Sequence, residues 1–155
     1  MVRPNATESQ MYFEDMPVGL TYGTASRTLS AEEIIAFAEQ WDPQPFHTDP
    51  EAAKQSHFGG LVASGFQTIL VAFNLILATG SIREGSMGSP GWTNLRWIKP
   101  VYAGDTLRAQ VEVLSAKRSQ SKPDRGFCEI RNTVYNQKDE LVCEFTSTWM
   151  LKTRT

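Results

Sequence analysis

Hydrophobic positions along the chain fall into two regimes. Between residues 30 and 80 they recur at helical spacing, and from residue 92 onward they alternate with polar residues. Gly19 to Thr28 alternates weakly and predicts a first strand. Ser30, with Glu33 three residues later, forms a capping box. Ile34, Phe37, Ala38 and Trp41 follow at i, i+3, i+4 and i+7, one apolar helix face. Pro43 and Pro45 cannot continue a helix, so this one stops near Asp42. Asp49-Pro50 opens a short second helix that runs through Lys54 and ends by Gly59-Gly60. Phe66 to Ala78 is apolar nearly all round and predicts a buried central helix ended by Gly80. Gln67 and Asn74, seven apart, share one of its faces.

"SIREGSMGSPG" reads as a loop, and strands follow it. Trp92 to Ile98 is one strand, closed by Lys99-Pro100. Leu107, Ala109, Val111 and Val113 alternate with polar residues on the next. "KRSQSKPDRG" is a long polar connection. Cys128, Ile130 and Val134 mark a third strand, and Leu141, Cys143, Phe145, Trp149 and Leu151 a fourth. Helices segregated from a run of antiparallel strands predict an α+β fold in which the sheet wraps one long helix.

Composition adds bounds. At 155 residues the chain is one domain, with residues 1–14 expected as a flexible tail and 15–155 as the domain. A net charge of −2 without a basic run argues against nucleic-acid partners. The apolar helix is too short to span a bilayer, and the first ten residues lack the apolar core of a secretory leader. The expectation is a cytoplasmic protein with no membrane partner, in which the Asn5-Ala6-Thr7 sequon carries no meaning. Cys128 and Cys143 suggest two reduced, half-buried thiols.

The chemistry concentrates in "WDPQPFHTDP", residues 41–50. Pro43 and Pro45 restrain the chain between Asp42 and His47, which lowers the cost of holding both side chains in one geometry. A carboxylate and an imidazole facing a shared space can bind one water and move its proton. The plainer alternative is that Asp42 ends a helix and His47 caps a turn. His47, Asp49 and His57 fit no metal-ligand spacing, so no metal is expected. Ser64-Gly65 precedes the central helix, whose first turn offers unpaired N–H groups to an acyl carbonyl; Ser64 could equally be a simple cap.

The stretch "WDPQPFHTDPEAAKQSHFGGLVASGFQT" resembles the MaoC-like dehydratases, the (R)-specific enoyl-CoA hydratase branch of the hot-dog fold. Their motif is Asp-x-Asn-Pro-apolar-His-x-Asp, followed by a Gly-rich loop and a small-Gly helix start. "LRWIKPVYAGDTL" is similar to the family's later strand pair, though many hot-dog proteins share that pattern. The resemblance implies that Asp42 and His47 are the catalytic acid and histidine, and that the Gly65 N–H faces the thioester oxygen. It implies substrate contacts at Gln44 and Ser64. Gln44 replaces the usual Asn, Ser64 stands where many members have His, and Phe73 falls where some have Ser. Phe46, Phe66 and Phe73 would narrow the acyl pocket.

The expected activity is hydration or dehydration of an enoyl or 3-hydroxyacyl thioester of CoA or a carrier protein. No cofactor is expected beyond the CoA of the substrate, and the expected assembly is a homodimer or larger. A thioesterase and a non-catalytic thioester-binding module on the same fold are the alternatives.

Overall fold

The computed structural model describes residues 10–154. Helix α1 spans Ala31–Trp41. The Ser30 hydroxyl accepts the Glu33 N–H at 3.1 Å, and Glu33 accepts the Ser30 N–H in return. Ile34 and Ala38 are fully buried, but Trp41 is 68% exposed, so the expected apolar face is not buried along its whole length.

The two prolines do not leave an open loop. Pro45–Thr48 makes one helical turn, α2, with Pro45 in the first turn, where its missing N–H costs nothing. Asp49 then caps α3, Pro50–Gln55, by accepting the Glu51 and Ala52 N–H groups. The extra turn was not expected, because prolines two residues apart read as a stop.

The central helix α4 spans Gly65–Ala78. Gly80, at φ +72°, ends it by a backbone hydrogen bond to Leu77. Ile69, Val71, Ala72, Leu75 and Ile76 are buried. Phe66, Leu70, Phe73 and Leu77, at i, i+4, i+7 and i+11, are exposed, which corrects the expectation of a helix buried all round. Gln67 is buried and Asn74 exposed, although they share a helical direction.

Five antiparallel strands form one sheet. They are β1 (Thr21–Thr28), β2 (Trp92–Trp97), β3 (Thr106–Arg118), β4 (Arg125–Tyr135) and β5 (Leu141–Lys152), in spatial order β1-β3-β4-β5-β2. Strand β3 runs through Arg118, so the polar connection shrinks to residues 119–124. Leu107, Ala109, Val111, Val113, Cys128, Ile130, Val134, Phe145 and Leu151 build the sheet's side of the core. α4 lies against β1 and β3, the hot-dog arrangement. Edge strand β2 buries none of its residues. One buried polar pair interrupts the core, Asn132 donating to Ser147 at 2.8 Å. Burial raises both thiols, Cys128 to about 11 and Cys143, with Glu144 adding to the effect, to about 12.

Residues 10–14 are not a loose tail. The Met11 N–H donates to the Ser81 carbonyl at 2.7 Å, and Met11 is buried. The Phe13 ring fills the space above Gly126, where a Cβ would fall 2.2 Å from it. Glu14 and Asp15 bind Arg118 and Arg154. The remainder of the expected tail, with the Asn5 sequon, lies outside the described residues. No helix among the described residues is long and apolar enough to cross a membrane. Because Phe13 is half-buried, Phe13→Ala is expected to cost about 1–2 kcal/mol, less than truncation of a fully buried Phe. Urea unfolding of the two proteins measures it.

Candidate active site

Three local devices bring the site together. Asp42 ends α1, its N–H bonded to the Ala38 carbonyl at 2.8 Å. His47 sits in the single turn of α2, 6% exposed. Gly65 opens α4. The segment 61–63 fixes them to one another. It pairs with 101–103 through Ala63 N–H to Val101 and Ala103 N–H to Leu61. Val62 also donates its N–H to the Phe46 carbonyl at 3.1 Å.

The imidazole of His47 is held from behind. Its Nδ1 lies 2.6 Å from the Val62 carbonyl oxygen, which can only accept, so Nδ1 carries the proton. In the neutral ring Nε2 then presents a lone pair, and it faces Asp42 Oδ2 at 3.3 Å. Phe46 packs edge-on against the ring at 4.6 Å between centroids.

Asp42 is held by neutral donors. The Ser64 hydroxyl donates to Oδ2 at 2.7 Å, and the Gln44 amide donates to Oδ1 at 2.7 Å. Burial alone would raise the Asp42 carboxyl. The bonds from Ser64 and Gln44, and the charge of His47 when its ring is protonated, outweigh that and hold it below its usual range.

Asp42, Gln44, His47 and Gly65 line a cleft of about 430 Å³ walled by Phe46, Val62, Phe66 and Trp97. The Gly65 N–H opens the first turn of α4, and among the described residues no acceptor takes it. Position 65 must be glycine for a local reason: a Cβ there would fall 2.4 Å from the Trp97 indole. A hydrogen-bond donor at a helix amino end beside an acid and an imidazole can polarise a carbonyl and move a proton next to it.

The structure thus brings Asp42, His47, Gln44, Ser64 and Gly65 together. It corrects one expected contact, because Ser64 is fully buried with its hydroxyl on Asp42 and presents no surface to a substrate. Gln44 lines the cleft while bonded to Asp42. His57 and Asp49 are not brought to His47. His57 is exposed against Phe58, and Asp49 is a helix cap. Among the described residues no three His, Cys, Asp or Glu side chains gather as a metal site. Trp97 was read only as a strand residue. Its place over Gly65 depends on how β2 crosses the helix start, which no local pattern encodes.

A sheet packed on one long helix, with an acid–imidazole pair at that helix's beginning, defines a hot-dog domain of the dehydratase type. The chain belongs to the MaoC-like domain family, whose model matches residues 15–134. The MaoC-like dehydratase of Rhodospirillum rubrum superposes with a TM-score of 0.85 at 35% identity, covering 94% of this chain and 99% of that one. Uncharacterized protein YdeM of Bacillus subtilis is 32% identical over 134 residues, covering 86% of this chain and 94% of its own length. The 3-hydroxybutyryl-CoA dehydratase of Methylorubrum extorquens is 32% identical over 104 residues, 66% of this chain. The match spans 64% of that enzyme, and matches to two further curated relatives span 34% and 43% of theirs.

The depressed Asp42 carboxyl sets a sign for acid stability. Its charged form stabilises the fold above the unfolded-state value of about 3.9, and the contribution is lost as pH falls through the lower folded-state value. Stability measured relative to Asp42→Asn is therefore expected to decline from about pH 5 downward, and urea titrations at stepped pH measure the difference.

Proposed function

We propose that this domain hydrates enoyl thioesters of CoA or a carrier protein, and dehydrates the corresponding 3-hydroxyacyl thioesters. The observation that carries the reading is the pair of acceptors, Asp42 Oδ2 and His47 Nε2, 3.3 Å apart beside the uncommitted Gly65 N–H. A water in the cleft would donate to both. The thioester oxygen would accept the Gly65 N–H, with the positive end of α4 behind it. That draws electron density from the alkene and leaves C3 electrophilic. The water oxygen bonds to C3 as its proton passes to Nε2. The imidazolium, stabilised by the Asp42 carboxylate, returns a proton to C2 on the same face. Dehydration runs the same steps backward. The names of relatives such as 3-hydroxybutyryl-CoA dehydratase support the substrate class.

Two copies of the chain complete the assembly in this reading. Phe66, Leu70, Phe73 and Leu77 of α4 are exposed, and two of them adjoin the exposed Trp92 and Trp97 of β2, extending one apolar face. Phe66 and Trp97 meet at 5.6 Å, Phe73 and Trp92 at 6.1 Å. A face of this kind beside a free strand edge favours edge-to-edge pairing through β2. The opposite edge, β1, ends in the polar run Ser26-Arg27-Thr28 and offers no comparable surface.

Trans-2-enoyl-CoA substrates of graded length, followed at the conjugated alkene absorbance, test the activity. Asp42→Asn and His47→Ala are each expected to lower turnover by about 10²- to 10⁴-fold with folding intact. Free-thiol release without alkene loss would instead identify a thioesterase, and binding without turnover a carrier module. For the assembly, Leu70→Asp and Phe73→Asp are expected to convert a dimer to monomers in sedimentation velocity, and a monomeric wild type would refute the pairing.

A further inference from the structure

The environment of Asp42 contains a group whose role in the reaction follows from where its proton must go. The Ser64 Oγ accepts the Phe66 N–H at 3.3 Å, so its own proton is free to be given elsewhere. Asp42 Oδ2 lies 2.7 Å away, and an ionised carboxylate can only accept. Direction is therefore fixed: backbone N–H to Ser64 Oγ, Ser64 O–H to Asp42 Oδ2. The same Oδ2 faces His47 Nε2, while Oδ1 belongs to Gln44. Turning the carboxylate about its Cβ–Cγ bond would break both bonds at once.

We propose that Ser64 is a positioning residue that locks the Asp42 carboxylate with Oδ2 directed at His47. The proposal rests on the hydration reading of this site. Of the two donors Ser64 is the effective one. Gln44 is exposed, and water competes for both ends of its bond. Ser64 is 0% exposed, so its own hydroxyl is shielded from competing water while the bond is in place. The charged and titratable groups facing Asp42 are few. From α2 there is His47. From the connection after β2 there is Lys99, which lines the cleft but has its ammonium on Glu140. From the start of α4, Gly65, Phe66 and Thr68 line the cleft and none is ionisable. Neutral donors, not a cation, hold the acid in place, so deleting the buried one both frees the carboxylate to rotate and makes it more basic.

The experiment uses Ser64→Ala and Ser64→Cys in the full chain, the thiol being a weaker donor than the hydroxyl. With a trans-2-enoyl-CoA substrate, kcat is expected to fall about 10- to 100-fold in Ser64→Ala, the loss of one hydrogen bond to a charged group. KM stays within about twofold, because the residue does not touch substrate. The midpoint at which Asp42 takes up a proton moves to higher pH, with Ser64→Cys between wild type and Ser64→Ala. The Asp42 side-chain carboxyl carbon, titrated by NMR in the same three proteins, moves in the same order. That titration needs no turnover, so it decides the role of Ser64 even if wild type fails to hydrate any substrate and the proposed activity falls. If Ser64→Ala does not fold, Ser64→Cys against wild type gives the comparison. A midpoint for Asp42 that is unchanged in a folded variant would overturn the proposal. So would a kcat loss matched by a comparable rise in KM, since a purely structural role predicts that pattern.

Discussion

Helix α4 has to satisfy two neighbours at once. One side covers the concave apolar face of a five-stranded sheet, meeting residues such as Val111 and Ile130 with Ile69, Ala72, Leu75 and Ile76. Apolar area removed from water contributes roughly 25 cal/mol per Å², so this contact adds to the stability of the domain with each buried side chain. Once it is made, the position of the helix's first turn is determined to within the tolerance of a packed core. The loop carrying Asp42 and His47 then closes against that turn through Ser64 and Val62. The site is precise because it is fastened to the least movable element in the molecule.

The electrostatics of the site follow from the choice of partners. A carboxylate paired with Arg or Lys would have its charge largely spent on that partner. Asp42 instead keeps its negative charge within reach of His47, because its other partners, Ser64 and Gln44, are neutral. The imidazole is oriented by a backbone carbonyl rather than by a second acid, so the ring has one defined donor and one defined lone pair. Proton transfer needs such an asymmetry.

Much of this was legible in the sequence, and the parts that were not share a cause. Asp42 and His47 could be paired on paper because only four positions, two of them proline, separate them. The helix of residues 31–41 and the later strands showed their periods clearly, since one face of each is buried. The α2 turn was hidden because a proline that ends one helix is also a good beginning for the next. The exposed stripe of α4 was hidden because apolar periodicity reports that a surface avoids water, without saying which molecule covers it. Ser64 was misread as a substrate contact because its acceptor is 22 residues away, and only the assembled fold brings the two together. Phe13 was assigned to a tail for the same reason: its partner, Gly126, is more than a hundred residues distant.

The two thiols carry a practical corollary. Cys128 and Cys143 have no exposed surface, and their ionisation is pushed to about 11 and about 12. They occupy neighbouring central strands but face Trp149 and Val134 across the ladder, not each other. An alkylating reagent at neutral pH therefore meets almost no thiolate until those strands separate. The chain thus contains its own unlabelled clock for opening of the sheet: the rate at which it consumes such a reagent counts excursions of its least accessible layer.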